Sequence, residues 1–185
     1  MKTNPMNKLA IVTLSIAVLA LNACSTDTKQ LTAEKADLDT SANVETSASA
    51  PKPAFEDPKS AAVYEHYLHL KNALVEGNSK EAQSGAAALQ TALSDVGNSK
   101  GADQAGKIAS ASDLSAQRTE LEALTAEVES VLKASKMTSG VVYKQYCPMA
   151  NDNKGGYWLS SDSEIKNPYF GEEMLTCGET KEEIK

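Results

Sequence analysis

The sequence predicts a mainly α-helical domain, a small antiparallel bundle of three to four helices carrying an irregular C-terminal lobe. Three observations predict it. From Pro58 to Ser135 apolar residues recur at three- and four-residue spacing between short Gly-Asn breaks, which is the period of amphipathic helices. After Ser139-Gly140 that period stops. The stretch from Tyr143 to Gly178 then gathers both cysteines beyond the N-terminal leader, the only tryptophan, one of the two phenylalanines and four of the six tyrosines.

The chain of 185 residues has room for one ordinary domain. Its first 23 residues read as an export signal: Lys2 and Lys8 lead into the apolar run Leu9 to Leu21, too short to span a membrane. Leu21-Asn22-Ala23-Cys24 follows, and a small residue before cysteine resembles a bacterial lipobox. Cleavage there makes Cys24 the lipidated N-terminus, and several acyl chains on it hold the protein to a membrane. The alternative is an ordinary signal peptide that leaves Cys24 free. Losing residues 1–23 removes two lysines and no acid, so the net charge moves from −7 to −9. A chain that acidic has no electrostatic reason to bind nucleic acid. Residues 24–57 are polar, carry Pro51 and Pro53 and lack apolar periodicity, the composition of a flexible linker.

Helices are predicted in order along residues 58–178. Asp57 before Pro58 suits an N-cap; Val63, Tyr67, Leu70 and Leu74 form the first stripe, and Gly77-Asn78 ends it. Ser79 is the expected cap of a second helix with Ala82, Ala86, Leu89, Leu93 and Val96 on its buried face. A shorter helix is expected from Gly101 to Ser110, with Ala102, Ala105, Ile108 and Ala109 inward. The longest runs from about Asp113 to Ser135 behind a Ser112 cap; Leu114, Leu121, Leu124, Val128, Val131 and Leu132 face the core, and Glu120, Glu122, Glu127 and Glu129 point mostly away. Short loops between such helices give an antiparallel bundle, and its many alanines leave a modest core that gains from a staple.

In the lobe, Val141 to Tyr146 has strand composition and Tyr157-Trp158-Leu159 can return beside it as a short β-hairpin across the Asn151–Gly156 turn. Ser161 and Glu164 stand at capping-box spacing, which predicts one helical turn over Asp162–Lys166. Residues 179–185 read as an exposed acidic tail.

Chemistry concentrates in sulfur. Thiolate and thioether are soft ligands that select Cu(I) over hard cations. Cys147 and Met149 share a face on an extended backbone, and Met174 and Cys177 share one on a helical turn, so folding the pairs together gives a four- or three-sulfur pocket. The competing reading is a Cys147–Cys177 disulfide in an oxidising compartment, with Met149 and Met174 packed on the aromatic residues. His66 and His69 form a separate candidate pair at metal spacing on the first helix. The alternative for them is a solvated or hydrogen-bonded bundle edge, because acidic ligands at metal spacing are missing nearby. Asn151 to Asp162 departs from a calcium loop at its first residue and at Gly155. Cys147 lacks a C-x-x-C partner, and no serine elbow, phosphate loop or dinucleotide fingerprint is present. No enzyme is expected.

At YCPMA, GGYWLS and EIKNPYFGEEMLTCG the chain resembles the bacterial domain of unknown function (DUF) family 3347. The Gln117-Arg118 pair fits as well, and the likeness spans about Pro58 to Gly178. The resemblance implies a short exported or lipid-anchored protein of Bacteroidetes-type bacteria. It also implies heavy-metal handling, since the domain occurs at the C-terminus of periplasmic adaptor subunits of copper- and silver-efflux pumps. Tyr146-Cys147-Pro148-Met149 is similar to the opening of short heavy-metal-binding domains, although Ala150 replaces their histidine and only Cys177-Gly178 remains of their C-P-x-C-G. The expectation is thus a periplasm-facing lipoprotein of the cell envelope that binds a heavy metal, Cu(I), through Cys147, Met149, Met174 and Cys177. The alternative is a disulfide-stapled module that contacts an efflux or other envelope protein without metal.

Overall fold

The computed structural model describes residues 51–185; the export signal (1–23), Cys24 and the linker up to residue 50 lie outside the described residues. Four helices follow in order: α1 (Pro58–Val75), α2 (Ser79–Asp95), α3 (Ser99–Ser110) and α4 (Leu114–Ala134). Among the described residues no helix is long and apolar enough to cross a membrane. The molecule is mainly helical with a small C-terminal antiparallel sheet, as the periodicity predicts.

The apolar stripes become the core. Val63, Tyr67, Leu70 and Leu74 of α1 are fully buried against Ala82, Ala86, Leu89 and Leu93 of α2, with Ala105, Ile108, Leu121, Leu124 and Val128 completing it. Small residues set the α1–α2 distance. A Cβ on Gly85 would stand 2.9 Å from the Leu70 amide nitrogen, so the two backbones approach as closely as glycine permits.

Helix starts are sharp, and three lie one or two residues from their expected places. Asp57 does cap α1, accepting from the Lys59 and Ser60 amides at 3.1 and 3.2 Å. The cap of α2 is Asn78 rather than Ser79, with Asn78 Oδ1 accepting from Glu81 N. The shorter helix begins at Ser99 behind Asn98, not at Gly101. Asp113, not Ser112, caps α4 through Ala116 N. In α2 and α4 the shorter-reaching serine yields to a neighbouring Asn or Asp whose oxygen meets an amide three residues on.

Strand β1 (Ala54–Phe55) pairs antiparallel with β2 (Met137–Ser139). The end of the expected linker is therefore ordered structure, and Phe55 packs edge-on against Tyr64 with ring centroids 5.7 Å apart. The expected hairpin forms from β3 (Val142–Cys147) and β4 (Gly156–Ser160), Tyr146 opposite Tyr157 and Cys147 opposite Gly156. It acquires a third strand. Residues 179–185, expected as a tail, supply β5 (Glu179–Ile184), which pairs antiparallel with β3 and buries Ile184 opposite Val142. The sheet order is β4-β3-β5. The acids of β5 stay solvated while its backbone pairs, which is why composition alone reads as a tail.

Side-chain alternation divides the sheet. Leu159, Lys144 and Tyr157 meet the helices: Leu159 N donates to the Tyr67 hydroxyl (3.1 Å), Tyr157 N to Glu122 (2.5 Å), and Lys144 pairs with Glu129 (2.7 Å). Glu122 and Glu129 thus turn toward the sheet, against the expectation that these acids point away. Gln145, Cys147 and Trp158 line the opposite face, where residues 161–178 cover them.

The helical turn expected over Asp162–Lys166 does not form. Gln145 Nε2 reaches the carbonyls of Asp162, Ser163 and Glu164 at 3.0 to 3.3 Å, taking the acceptors that a helix would use. Gln145 is itself oriented by Trp158 Nε1 at 2.7 Å.

Arg118 and Gln117 tie the parts together. Arg118 donates from Nε to Pro168 O (2.9 Å) and from the guanidinium to Leu74 O (3.0 Å), joining the end of α1 to the lobe. Gln117 Nε2 donates to Ser79 O and Ala111 O, both at 2.9 Å.

Tyr67→Phe tests the junction between bundle and sheet. The hydroxyl also bonds Thr125 Oγ1 at 2.8 Å, so the variant strands a buried amide and a buried hydroxyl. We expect it to lower the unfolding free energy by about 2–4 kcal/mol, measured by urea unfolding, whereas Tyr143→Phe on the same sheet leaves it nearly unchanged.

Candidate thiol site

Cys147 ends β3 and is fully buried; Cys177 follows the 3-10 turn Gly171–Met174 and is half-buried. The lobe backbone brings them together. Asn167, fully buried, clamps the segment: its amide donates to Leu175 O, its Nδ2 to Cys177 O (2.9 Å), and its Oδ1 accepts from Tyr169 N (2.8 Å). Gly178 then passes flat over the sheet, where a Cβ would stand 2.8 Å from both Trp158 and Tyr146 O.

The two cysteines stand as free thiols with sulfurs 2.9 Å apart. Two thiolates sharing one ion at the metal–sulfur distance of a zinc site, about 2.3 Å, stand roughly 4 Å apart. The sulfurs must spread by about 1 Å to hold a metal between them, and close by slightly less to form a bond of about 2.0 Å. The Cys177 thiol is pushed up by its hydrogen bond with Cys147, then by burial and the Cys147 charge. Such a thiol is a poor nucleophile at neutral pH.

The other sulfur ligands are placed elsewhere. The strand ends at Cys147, and the chain enters a turn in which Asn151, Asp152 and Asn153 all take positive φ (52°, 57° and 63°). Met149, expected beside Cys147 on an extended face, is instead 46% exposed. It lines a groove of about 680 Å³ with Leu114, Arg118, Asp152, Tyr169 and Phe170. Met174 ends the 3-10 turn, half-buried, and its carbonyl accepts from Cys177 N at 3.0 Å. Among the described residues no group of three or more His, Cys, Asp or Glu is arranged to hold a metal ion.

The histidines lie apart from the thiols and take different partners. His69 Nε2 is 2.6 Å from Glu81 on α2. His66 lines the α1–α2 groove with Lys59, Ala88, Thr91 and Asp95.

Three polar residues matter that the sequence reading passes over. Glu122 accepts from Tyr157 N and the Tyr169 hydroxyl, and burial followed by the Glu122 charge pushes the Tyr169 phenol up. Gln145 holds the cover over the thiols. Lys71 is only 2% exposed on α1. A lysine inside an otherwise apolar stripe of α1, flanked by Leu70, Ala73 and Leu74, is the signal that finds it.

The staple has a direct test. In oxidised protein, Cys147→Ser is expected to lower the unfolding free energy by roughly 3 kcal/mol, as loop closure predicts for cysteines 30 residues apart. Dithiothreitol should reproduce the loss in the wild type and leave the variant unmoved; equal stability in all samples would rule the bond out.

Residues 63–140 match the family model described as Protein of unknown function (DUF3347). The match runs from α1 through β2 and contains Tyr67, Gln117, Arg118, Glu122 and Glu129, but stops before Cys147. No curated protein and no solved structure matches the chain. Over residues 63–140, its helical bundle is similar to the DUF3347 family.

Proposed function

We propose that the protein is an exported lipoprotein acting as an interaction module of the cell envelope, its C-terminal lobe stapled by a Cys147–Cys177 disulfide. The observation that supports this most is the separation of the sulfurs: the two thiols adjoin at 2.9 Å, while Met149 sits in a different groove. An oxidising compartment favours the bond, and the leader with its Ala23-Cys24 junction is the reason to place the protein there. The contact surface that best fits the proposal is the groove beside Met149, where an exposed thioether, Leu114 and Phe170 adjoin Arg118 and Asp152. Methionine adapts its shape to a partner better than branched residues do.

A second reading rests on the same thiols. In reduced form the pair offers two soft ligands to one Cu(I) ion, and the resemblance to domains of copper- and silver-efflux adaptors suggests an efflux-associated role. In that reading Cys147 and Cys177 bind, and Met149 and Met174 come in only if the lobe rearranges.

A Cu(I) competition titration separates the two. The mature chain carrying Cys24→Ser is titrated reduced and oxidised, beside the same chain with Cys147→Ser and Cys177→Ser. We expect weak, equal binding in all three, with the double variant less stable. Tight one-to-one binding by the reduced wild-type pair, abolished in the double variant, would establish the metal reading and make oxidation its switch.

A further inference from the structure

Arg118 is the only arginine of the chain, and none of the ion pairs among the described residues includes it. Its guanidinium is nevertheless fixed. Nε and Nη2 donate to Pro168 O and Leu74 O, and a Cβ on Gly171 would stand 3.0 Å from Nη2. Nη1 donates to no described residue and is not enclosed by them. Burial pulls the guanidinium down from its ordinary range, while the Glu173 charge acts the other way without forming an ion pair. A half-buried cation held by carbonyls alone keeps part of its desolvation cost until a carboxylate meets it.

The groove that Arg118 lines supplies the other half of a recognition site. It measures about 680 Å³, within the roughly 300–1,000 Å³ of ligand-holding clefts. Leu114 and Phe170 are partly exposed walls, and Met149, at 46%, is the most exposed large apolar side chain among the described residues. Leu114 and Ser115 open α4, whose dipole favours negative charge at that end. The Asp113 cap offsets part of this field, and Asp152, exposed, is the one acid of the lining. With one cation and these acids about it, the groove suits a single carboxylate and repels a run of them.

We propose that the groove docks a protein segment in which one Asp or Glu side chain stands beside an apolar one, the carboxylate on Arg118 and the apolar group on Met149, Leu114 and Phe170. A guanidinium matches a carboxylate in geometry as well as in charge, and methionine moulds to the side chain beside it. This rests on the groove being the contact surface of the module and adds what that surface recognises. Because Arg118 also holds Leu74 O and Pro168 O, a docked carboxylate bears on the end of α1 and on the lobe together.

A single resonance reads the site. The Arg118 Nε–H, bonded to Pro168 O, is the one arginine side-chain signal in a nitrogen-15 spectrum, and the Met149 methyl reports the apolar wall. The mature chain with Cys24→Ser is titrated with the peptide Gly-Leu-Glu-Leu-Gly, blocked at both ends, and with the same peptide carrying Gln for Glu. We expect the Glu peptide to shift both signals to saturation and the Gln peptide to bind about tenfold more weakly. Ser115→Glu places a carboxylate one turn before Arg118. It is expected to weaken the Glu peptide about tenfold with α4 intact, since an acid suits a helix's first turn. Equal binding of both peptides, with the Met149 methyl shifting, would overturn the carboxylate reading and leave the groove a contact surface. No shift of either signal would overturn both. Sodium acetate acting on Arg118 at the same concentrations as the Glu peptide would make this a small-anion site and overturn the docked segment.

Discussion

The structure depends on how the outer edge of β4 is closed. An edge strand presents unpaired amides that must find water, another strand or a side chain. Here the Leu159 and Tyr157 amides are taken by Tyr67 of α1 and Glu122 of α4. Those two bonds fix the sheet's distance and angle to the bundle. They also make β3 central, so that its remaining side is open to β5. The face carrying Cys147, Gln145 and Trp158 then turns away from the helices, and the chain must fold back over it. The cover that residues 161–178 make over Cys147 is a consequence of which edge the helices close.

Much of the bundle was legible in the sequence because its code is local. A buried stripe repeats every three or four residues, and each residue named for it on α1 and α3 lies in the core or against it. The caps were harder. Asn78 or Ser79, and Ser112 or Asp113, differ by a single residue and a fraction of an ångström of reach, which sequence spacing does not resolve. The missing helical turn at Asp162–Lys166 has a different cause. Ser161 and Glu164 had the local chemistry of a start, but Gln145, sixteen residues before Ser161, competed for the same carbonyls and won. β5 was hidden because a strand that leaves five of its six side chains in water carries no apolar alternation.

The sulfur cluster was half legible. That Cys147 and Cys177 meet follows from their being the only pair in a small lobe. That Met149 does not join them follows from where β3 stops. The face-sharing argument for Cys147 and Met149 assumes extended backbone through Pro148, whereas three successive residues at positive φ beyond it redirect the chain toward α4. Asn and Asp tolerate that conformation better than other side chains, yet a run of three is uncommon. Composition marks Asn151–Gly156 as a turn; it does not say which way the preceding side chain leaves.

The family match stops before the lobe, yet the matched helices are built to receive it. Tyr67, Arg118, Glu122 and Glu129 all lie within residues 63–140, and each directs its polar atoms toward the sheet or Pro168. Without the lobe these groups would line a face of α1 and α4 that already holds Val63, Leu70, Val128 and Leu132. Water could solvate the polar atoms but not the apolar floor between them. The helices and the sheet are therefore one folding unit, and whatever binds at the lobe acts on the bundle through Tyr67, Glu122 and Arg118. A chemical event at Cys147 therefore reaches, through the sheet, the helices that the family match covers.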